Sequence, residues 1–140
     1  MFKSESLPIR IILDSNFFFI PIQFRLDIFR ELENVSKNKV EPILLRPVYG
    51  ELKKLSLQEG MKGKLAEMAV ICAETLNILE IEPKSGETVD DLILRLASTW
   101  KCPVATNDRA LRKKLKKNNI TVIFLRQKQR LEIDGNIMLT

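Results

Sequence analysis

One stretch near the N-terminus decides the interpretation of this chain: Ile9-Arg10-Ile11-Ile12-Leu13-Asp14. It is short, apolar and rich in β-branched residues, which is typical of a buried strand. A second run of this kind, Pro103-Val104-Ala105-Thr106-Asn107-Asp108, lies far along the chain. If the two runs are neighbouring parallel strands, Asp14 and Asp108 emerge at the same edge of one sheet, where open α/β folds place their sites.

Strand and helix patterns alternate along the rest of the chain. Further strands are predicted at residues 40–45, 79–81 and 121–125, and helices at residues 27–35, from Pro47 onward, from Thr88 onward and at residues 109–117. This order implies parallel strands joined by right-handed crossovers, with helices on both faces of the sheet. We therefore predict an α/β fold, a three-layer α/β/α arrangement around a central, mostly parallel twisted sheet.

Several segments allow sharper local predictions. Gly60 to Gly63 should break the chain. The residues that follow at helical spacing should face the core: Leu65, Met68, Cys72, Leu76 and Leu79. The run Phe17-Phe18-Phe19 and the helix at residues 65–79 are candidates for a subunit contact, with core packing as the alternative. Residues 131–137 can form a small hairpin.

The composition suits one soluble domain. The chain has 140 residues, of which 45% are hydrophobic, so residues 1–140 are predicted to form a single domain with a core at about 9–126 and a tail at 127–140. No apolar stretch is long enough to span a bilayer, and the N-terminus lacks the pattern of a secretory signal. We therefore expect a cytoplasmic protein that does not engage membranes. Cys72 and Cys102 have no metal or redox spacing and are interpreted as buried thiols.

Four acidic residues lie where strands end or helices begin: Asp14, Glu51, Asp90 and Asp108. Each also has an ordinary explanation, such as an Asx turn at Asp14, a first-turn charge at Asp90 or a helix cap at Asp108. Asp91 is placed to form a capping box with Thr88.

The four acids together favour a metal site. Two carboxylates about 4 Å apart repel by around 4 kcal/mol at an effective dielectric constant near 20, which exceeds the contribution of a cap. A cleft that gathers them is destabilised unless cations bind or protons are retained. The chain has no histidine, which excludes a histidine general base. Mg²⁺ or Mn²⁺ suits a site of oxygen ligands and can activate water for phosphodiester hydrolysis.

The net charge of +5 is concentrated towards the C-terminus. Residues 109–130 contain nine Lys and Arg residues and no acid: Arg109, Arg112, Lys113, Lys114, Lys116, Lys117, Arg126, Lys128 and Arg130. Such a patch anchors phosphate backbones through counterion release, although a solvated helix face is also an open interpretation. The predicted RNA-binding residues are those assigned to the outer face of the helix: Arg109, Arg112, Lys113 and Lys116.

Four segments in this order make the chain resemble the PIN-domain ribonucleases, and in particular a compact archaeal VapC-like branch. They are residues 11–16 (Ile-Ile-Leu-Asp-Ser-Asn), 47–52, 89–94 and 104–109. By position, Asp14, Glu51, Asp90 and Asp108 match the acidic quartet of the family, and Asp91 is a possible substitute for Asp90. Asn16 and Thr106 match the polar residues that orient a carboxylate or a metal water.

The resemblance implies a cleft that binds Mg²⁺ or Mn²⁺. It also implies that the protein cleaves single-stranded RNA as a homodimer. One branch of the family comprises VapC-type toxins that cut tRNA or rRNA and are inhibited by a small antitoxin protein, and another matures ribosomal RNA. The sequence leaves both branches open. A non-catalytic RNA-binding module is disfavoured because all four acidic positions are filled. A receiver-type signalling domain is disfavoured because the segment at residues 79–83 offers no phosphoacceptor aspartate.

Overall fold

A computed structural model describes residues 7–135 as a six-stranded sheet flanked by helices. The strands are β1 (Ile9–Leu13), β2 (Val40–Leu45), β3 (Ile78–Leu79), β4 (Val104–Ala105), β5 (Val122–Arg126) and β6 (Arg130–Asp134). The helices are α1 (Ile20–Phe24), α2 (Ile28–Ser36), α3 (Arg46–Ser56), α4 (Gly60–Ala73), α5 (Val89–Trp100) and α6 (Arg109–Lys117), and a 3₁₀ helix spans Ser15–Phe19. No helix within residues 7–135 is long and apolar enough to cross a membrane.

The strand order in the sheet is β3-β2-β1-β4-β5-β6. The first five strands in this order, β3, β2, β1, β4 and β5, are parallel to one another, and β6 runs antiparallel to β5. The chain leaves β1 towards β2 on one side and later returns to β4 on the other side, so the strand order reverses between β1 and β4. A crevice forms at such a reversal, outside the carboxyl ends of the strands. The predicted α/β fold with a mostly parallel sheet is confirmed.

The core is built around β1 and the segment that follows it. Ile11, Ile12 and Leu13 are fully buried, as are Phe17 and Phe18. Phe19 is only partly buried against this core. Most of the phenylalanine run therefore serves core packing, which anchors the segment carrying Asp14 to the centre of the sheet.

Helix α4 differs from the sequence prediction in two ways. Gly63 lies inside the helix, so the predicted chain break at residues 60–63 is wrong. The buried side of α4 consists of small residues and one valine: Gly63, Ala66, Ala69, Val70 and Ala73. Met68, assigned to the core stripe, is 50% exposed. Small side chains let α4 pack closely against its neighbours, which turns the larger apolar side chains towards solvent.

The tail joins the central sheet. The small hairpin predicted within residues 131–137 is not formed by the described part of that segment, because β6 is a single strand that pairs with β5, with Arg126 opposite Arg130 and Val122 opposite Asp134. Leu131 of β6 is buried, so the sheet and the core extend past residue 126. Asn136 and Ile137, the end of the predicted hairpin, lie outside the described residues.

We predict opposite effects of one substitution at two helical glycines. A Cβ atom at Gly63 would lie 1.7 Å from the carbonyl oxygen of Gln58, whereas a Cβ atom at Gly50 meets nothing within 4 Å. Gly63→Ala should therefore destabilise the protein by about 1–3 kcal/mol, the range for overpacked sites. Gly50→Ala should stabilise it by roughly 0.5–1 kcal/mol, because alanine loses less backbone entropy in a helix. Urea denaturation measures both, and a Gly63→Ala protein as stable as the wild type would contradict the close packing.

Candidate active site

The candidate site lies at the carboxyl ends of β1 and β4. The backbone N–H of Asp14 donates to the carbonyl oxygen of Ala105 at 3.0 Å, which ties the two strand ends together. The side chains of Asp14 and Thr106 are both buried at this junction. The sequence prediction that the two runs are neighbouring parallel strands is confirmed by the pairing of Leu13 with Ala105.

Three donors hold the Asp14 carboxylate. The N–H of Ser15 donates to Oδ1 at 2.8 Å, and Asn16 Nδ2 and Thr106 Oγ1 donate to Oδ2 at 2.9 and 2.7 Å. A carboxylate offers about four lone-pair positions, so this arrangement leaves acceptor capacity for a further ligand. The donors fix both oxygens and favour the ionised form of the buried acid.

A second set of hydrogen bonds fixes the residues around Asp14. Asn16 Oδ1 accepts from the N–H of Asn107 at 3.0 Å, and Thr106 Oγ1 accepts from the N–H of Asp108 at 3.1 Å. Asn107 Oδ1 in turn accepts from the N–H of Leu125 at 2.8 Å, which connects the site to β5. This linking role of Asn107 depends on the neighbouring strand β5, which no local motif reveals.

The other three acids approach this edge from three helices. Asp108 caps α6, and its Oδ1 accepts from the N–H of Leu111 at 3.1 Å. Glu51 of α3 lies at the solvent-exposed rim, where Ser15 Oγ is 3.5 Å from its Oε2. Asp90 lies in the first turn of α5. The four predicted acids therefore gather at one edge of the sheet.

The carboxylates influence each other electrostatically. Burial raises the pKa of Asp14, and the negative charge of Asp108 adds to the increase, whereas hydrogen bonds from Thr106 and Ser15 oppose it. Desolvation also raises the pKa of Glu51, with contributions from Asp14 and Asp90. The pKa of Asp90 is raised by desolvation and then by Asp14 and Asp108. The pKa of each of the three acids is thus raised mainly by burial and further by the charge of neighbouring acids.

Asp91 has a different role from Asp90. The N–H of Asp91 donates to Thr88 Oγ1 and the N–H of Thr88 donates to Asp91 Oδ2, both at 3.1 Å, which forms the predicted capping box. These hydrogen bonds with Thr88 lower the pKa of Asp91. The two adjacent acids therefore differ in role, since Asp91 caps the helix while Asp90 faces the charges of the cluster.

The basic side chains of α6 do not share one outer face. The guanidinium of Arg112 lies 3.8 Å from the centroid of the Phe124 ring, and Lys116 Nζ is 2.9 Å from Asp134 Oδ2. Both residues therefore point towards the β5–β6 hairpin, whereas Arg109 and Lys113 are exposed. Lys114 is not among the predicted RNA-binding residues, yet its positive charge opposes the rise in the pKa of Asp90. The helix periodicity alone could not indicate which flank of α6 faces the acids.

The donor chemistry of this edge fits a hard divalent cation. In the part of the chain that the structure describes, no three Asp, Glu, Cys or His side chains form a preorganised metal cage. Mg²⁺ does not require one, because it usually binds through one or two carboxylates and retains several waters. Asp14 is oriented by Thr106 and Asn16, which is the outer-sphere support that metal-binding carboxylates commonly have.

Comparisons with known proteins agree on the family. A family model described as a PIN-like domain matches residues 11–128. The chain is 30% identical to Ribonuclease VapC4 of Methanocaldococcus jannaschii over 91% of this chain and 98% of that protein. It is 31% identical to the rRNA-processing protein fcf1 of Schizosaccharomyces pombe over 81% of this chain and 58% of that protein.

A solved structure gives the same result. The structure of the PIN domain endonuclease Utp24 aligns with a TM-score of 0.76 and 26% identity, and the alignment covers 95% of this chain and 96% of that one. The chain therefore belongs to the PIN-domain ribonuclease family.

Proposed function

We propose that this protein is a metal-dependent endoribonuclease that hydrolyses phosphodiester bonds in single-stranded RNA. The acids that carry the reaction are Asp14, Glu51, Asp90 and Asp108, with Mg²⁺ or Mn²⁺ as cofactor. The main support is the position of these four carboxylates at one edge of the sheet, where desolvation and then the charges of the neighbouring acids raise the pKa of Glu51 and Asp90. A cluster of this kind gains stability when a cation binds, and RNA phosphates gain a neutralising charge at the same place.

Each part of the proposed site has a separate task. When bound, the divalent cation neutralises charge that develops on the phosphate and makes water a better nucleophile. Asp14 presents a carboxylate whose orientation is held by Asn16 and Thr106. Asp108 and Asp90 are positioned by the first turns of α6 and α5. Glu51 completes the outer wall of the cleft from α3.

The neighbouring pair Asp90 and Asp91 provides a matched test of this proposal. We expect the purified protein to cleave single-stranded RNA in Mn²⁺ and Asp90→Asn to lower the rate by about 100-fold or more, since even outer-sphere partners of metal ligands contribute 10–100-fold. Asp91→Asn makes the same chemical change one residue away and should retain most activity. Its expected defect is a small loss of stability, because it weakens the capping box with Thr88.

Cleavage is measured with purified variants on a labelled single-stranded RNA, with EDTA as the metal-free control. Equal rates for the wild type and Asp90→Asn would indicate a contaminating nuclease and remove support for the proposal. Asp14→Asn, which neutralises the buried acid, should also be inactive.

Glu51→Gln tests the charge of the cluster without measuring activity. Because the pKa of Glu51 is raised in the folded protein, its ionised form destabilises the fold. This destabilisation is absent at a pH well below the ordinary value of 4.5 and develops as the pH rises through the folded-state pKa. Glu51→Gln should therefore raise the Tm of the metal-free protein at pH 7, and this gain should disappear in acid.

In Mn²⁺ the wild type should have the higher Tm of the two proteins. A cation that binds the folded state raises the Tm, and it should raise the Tm of the wild type more than that of Glu51→Gln, which lacks one negative charge. The exposed residue Glu67 of α4 supplies the control, since Glu67→Gln makes the same change away from the cluster. A Tm for Glu51→Gln that responds to pH and Mn²⁺ as the wild type does would show that Glu51 acts independently of the site.

Two biological roles remain candidates within this activity. The similarity to Ribonuclease VapC4 supports a toxin that cuts tRNA or rRNA and is inhibited by a small antitoxin protein. The similarity to the rRNA-processing protein fcf1 supports maturation of ribosomal RNA. A short gene that overlaps the coding sequence and relieves toxicity on co-expression would favour the toxin. Either role is consistent with the predicted cytoplasmic location.

A homodimer is the proposed assembly, and the α4 apolar face is its proposed contact. This face comprises Met61, Met68 and Ile71, which are exposed, and Leu65, which is partly buried. Large apolar residues grouped on one side of a helix are typical of surfaces that a partner covers. The same helix was predicted from sequence as a contact, although the large residues were assigned to the core.

The double variant Met68→Glu, Ile71→Glu should fold normally and be monomeric, because both side chains are already exposed and two charges oppose burial in an interface. Light scattering coupled to size-exclusion chromatography measures the mass. Leu7→Glu is the control, since Leu7 is 78% exposed but lies outside α4. A wild-type protein that is monomeric at high concentration would contradict the proposed dimer.

A further inference from the structure

The tip of the β5–β6 hairpin, residues 126–130, carries a dense positive charge. Its sequence is Arg126-Gln127-Lys128-Gln129-Arg130, and all five residues are exposed. Glu132 is 3.2 Å from Arg126 and 3.5 Å from Arg130, so a single carboxylate serves two guanidinium groups. Within residues 7–135, no carboxylate forms an ion pair with Lys128. The three cations and Glu132 leave a net charge of +2 at the tip (3 − 1).

The strand register places this hairpin tip beside the acidic cleft. Val104 pairs with Val122 and Ala105 with Ile123, so Thr106 is level with Phe124. Arg126 therefore lies two residues beyond the level of the acids. Strand spacing and rise put it roughly 10 Å to the side of β1 and about 7 Å past the sheet edge. A phosphate backbone that runs from the cleft across β4 meets the hairpin tip within this distance.

The hairpin is fastened to α6 along one face. Directly opposed residues of an antiparallel pair point to the same side, which places Phe124 with Glu132 and Arg126 with Arg130. On this side, Arg112 stacks on Phe124 and Lys116 pairs with Asp134. Two of the four predicted RNA-binding residues therefore hold the hairpin in position. The tip extends beyond these contacts, with its cations exposed.

The turn at the hairpin tip has an unfavourable backbone for its residues. Gln127 and Lys128 both have positive φ angles, 53° and 59°, and the N–H of Gln129 donates to the carbonyl oxygen of Arg126 at 3.1 Å. Turns with two positive φ angles favour Asn-Gly, because glycine has no Cβ atom to strain. A lysine at this position adds strain, and its side chain forms no ion pair with residues 7–135. Its exposed charge is the property that a glycine would lack.

We propose that the hairpin tip binds the phosphodiester backbone of single-stranded RNA next to the acidic cleft. This inference rests on the proposed function, since it places the substrate strand relative to the site of cleavage. Lys128 and Arg130 supply cations for phosphates flanking the scissile one, and Arg112 and Lys116 act as positioning residues for the hairpin. The surface binds any sequence, because it contacts phosphates and not bases.

The test is a double variant, Gln127→Asn with Lys128→Gly, in the full chain. It removes one charge and relieves the positive-φ strain, so the protein should be at least as stable as the wild type. Its affinity for a fluorescein-labelled single-stranded RNA should fall about fivefold at 0.1 M salt, and the salt slope should fall by about 0.7, the value for one lost phosphate contact. If Gln127 and Lys128 serve only to form the turn, the variant should bind RNA as tightly as the wild type does.

A second variant and a control complete the experiment. Arg130→Gln should weaken binding by a similar factor of about five, because it also removes one phosphate contact. Lys39→Gln makes a comparable change at the amino ends of the parallel strands, away from the acids and the hairpin tip, because Lys39 precedes β2, and it should bind nearly as the wild type does. Fluorescence anisotropy in EDTA measures all affinities, so the result does not depend on metal or cleavage.

The outcomes separate this inference from the proposed function. Weaker binding by both hairpin variants, with Lys39→Gln unchanged, supports the inference whether or not the protein cleaves RNA. Hairpin variants that bind as the wild type does overturn it, as does a Lys39→Gln variant that loses as much affinity as they do, or a wild-type protein without affinity for RNA. Loss of cleavage in Asp90→Asn tests the catalytic proposal alone.

Discussion

The structure of the site depends on keeping the Asp14 carboxylate buried at the junction of β1 and β4. A buried ionised group without compensating hydrogen bonds is strongly destabilising. Three donors from Ser15, Asn16 and Thr106 provide that compensation. Two of them need partners of their own, which Asn107 and Asp108 supply. The hydrogen bonds that the Asp14 carboxylate requires thus fix the carboxyl ends of β1, β4 and β5 relative to one another.

Helix capping and site formation are combined in this protein, although they were competing interpretations of the sequence. Asp14 accepts the N–H that starts the 3₁₀ helix, and Asp108 accepts an N–H at the start of α6. The caps fix the backbone at the places where the charges must converge. Asp91 forms only a capping box, whereas Asp90 has no donor among residues 7–135. The cap at Asp91 therefore sets the helix start, and Asp90 remains available to the cleft.

Local patterns predicted the features that local forces determine. The β-branched runs, the acids that follow them and the Thr88 cap depend on residues close in sequence, so the alternation of strands and helices and the candidate acids could be predicted. The buried side of α4 was mispredicted because Ala66 and Ala69 are buried by the nearness of α3, which hydropathy does not encode. The prediction that Arg112 and Lys116 lie on the outer face of α6 was wrong because both side chains contact the β5–β6 hairpin, which lies later in the chain.

The arrangement of charge follows from what each ligand requires. A lysine in direct contact with one of the acids, at about 4 Å, would interact by around 4 kcal/mol at an effective dielectric constant near 20 and would offset the repulsion that favours a metal ion. Lys114 lies close enough to influence Asp90, yet among residues 7–135 no ion pair joins it to an acid. A further group of exposed cations lies at the hairpin tip, some distance from the acids. Because they are separated, the acids of the site are not neutralised by these side chains and still favour binding of a metal ion. The cations of the hairpin tip are likewise not neutralised by the acids and still attract a phosphate backbone.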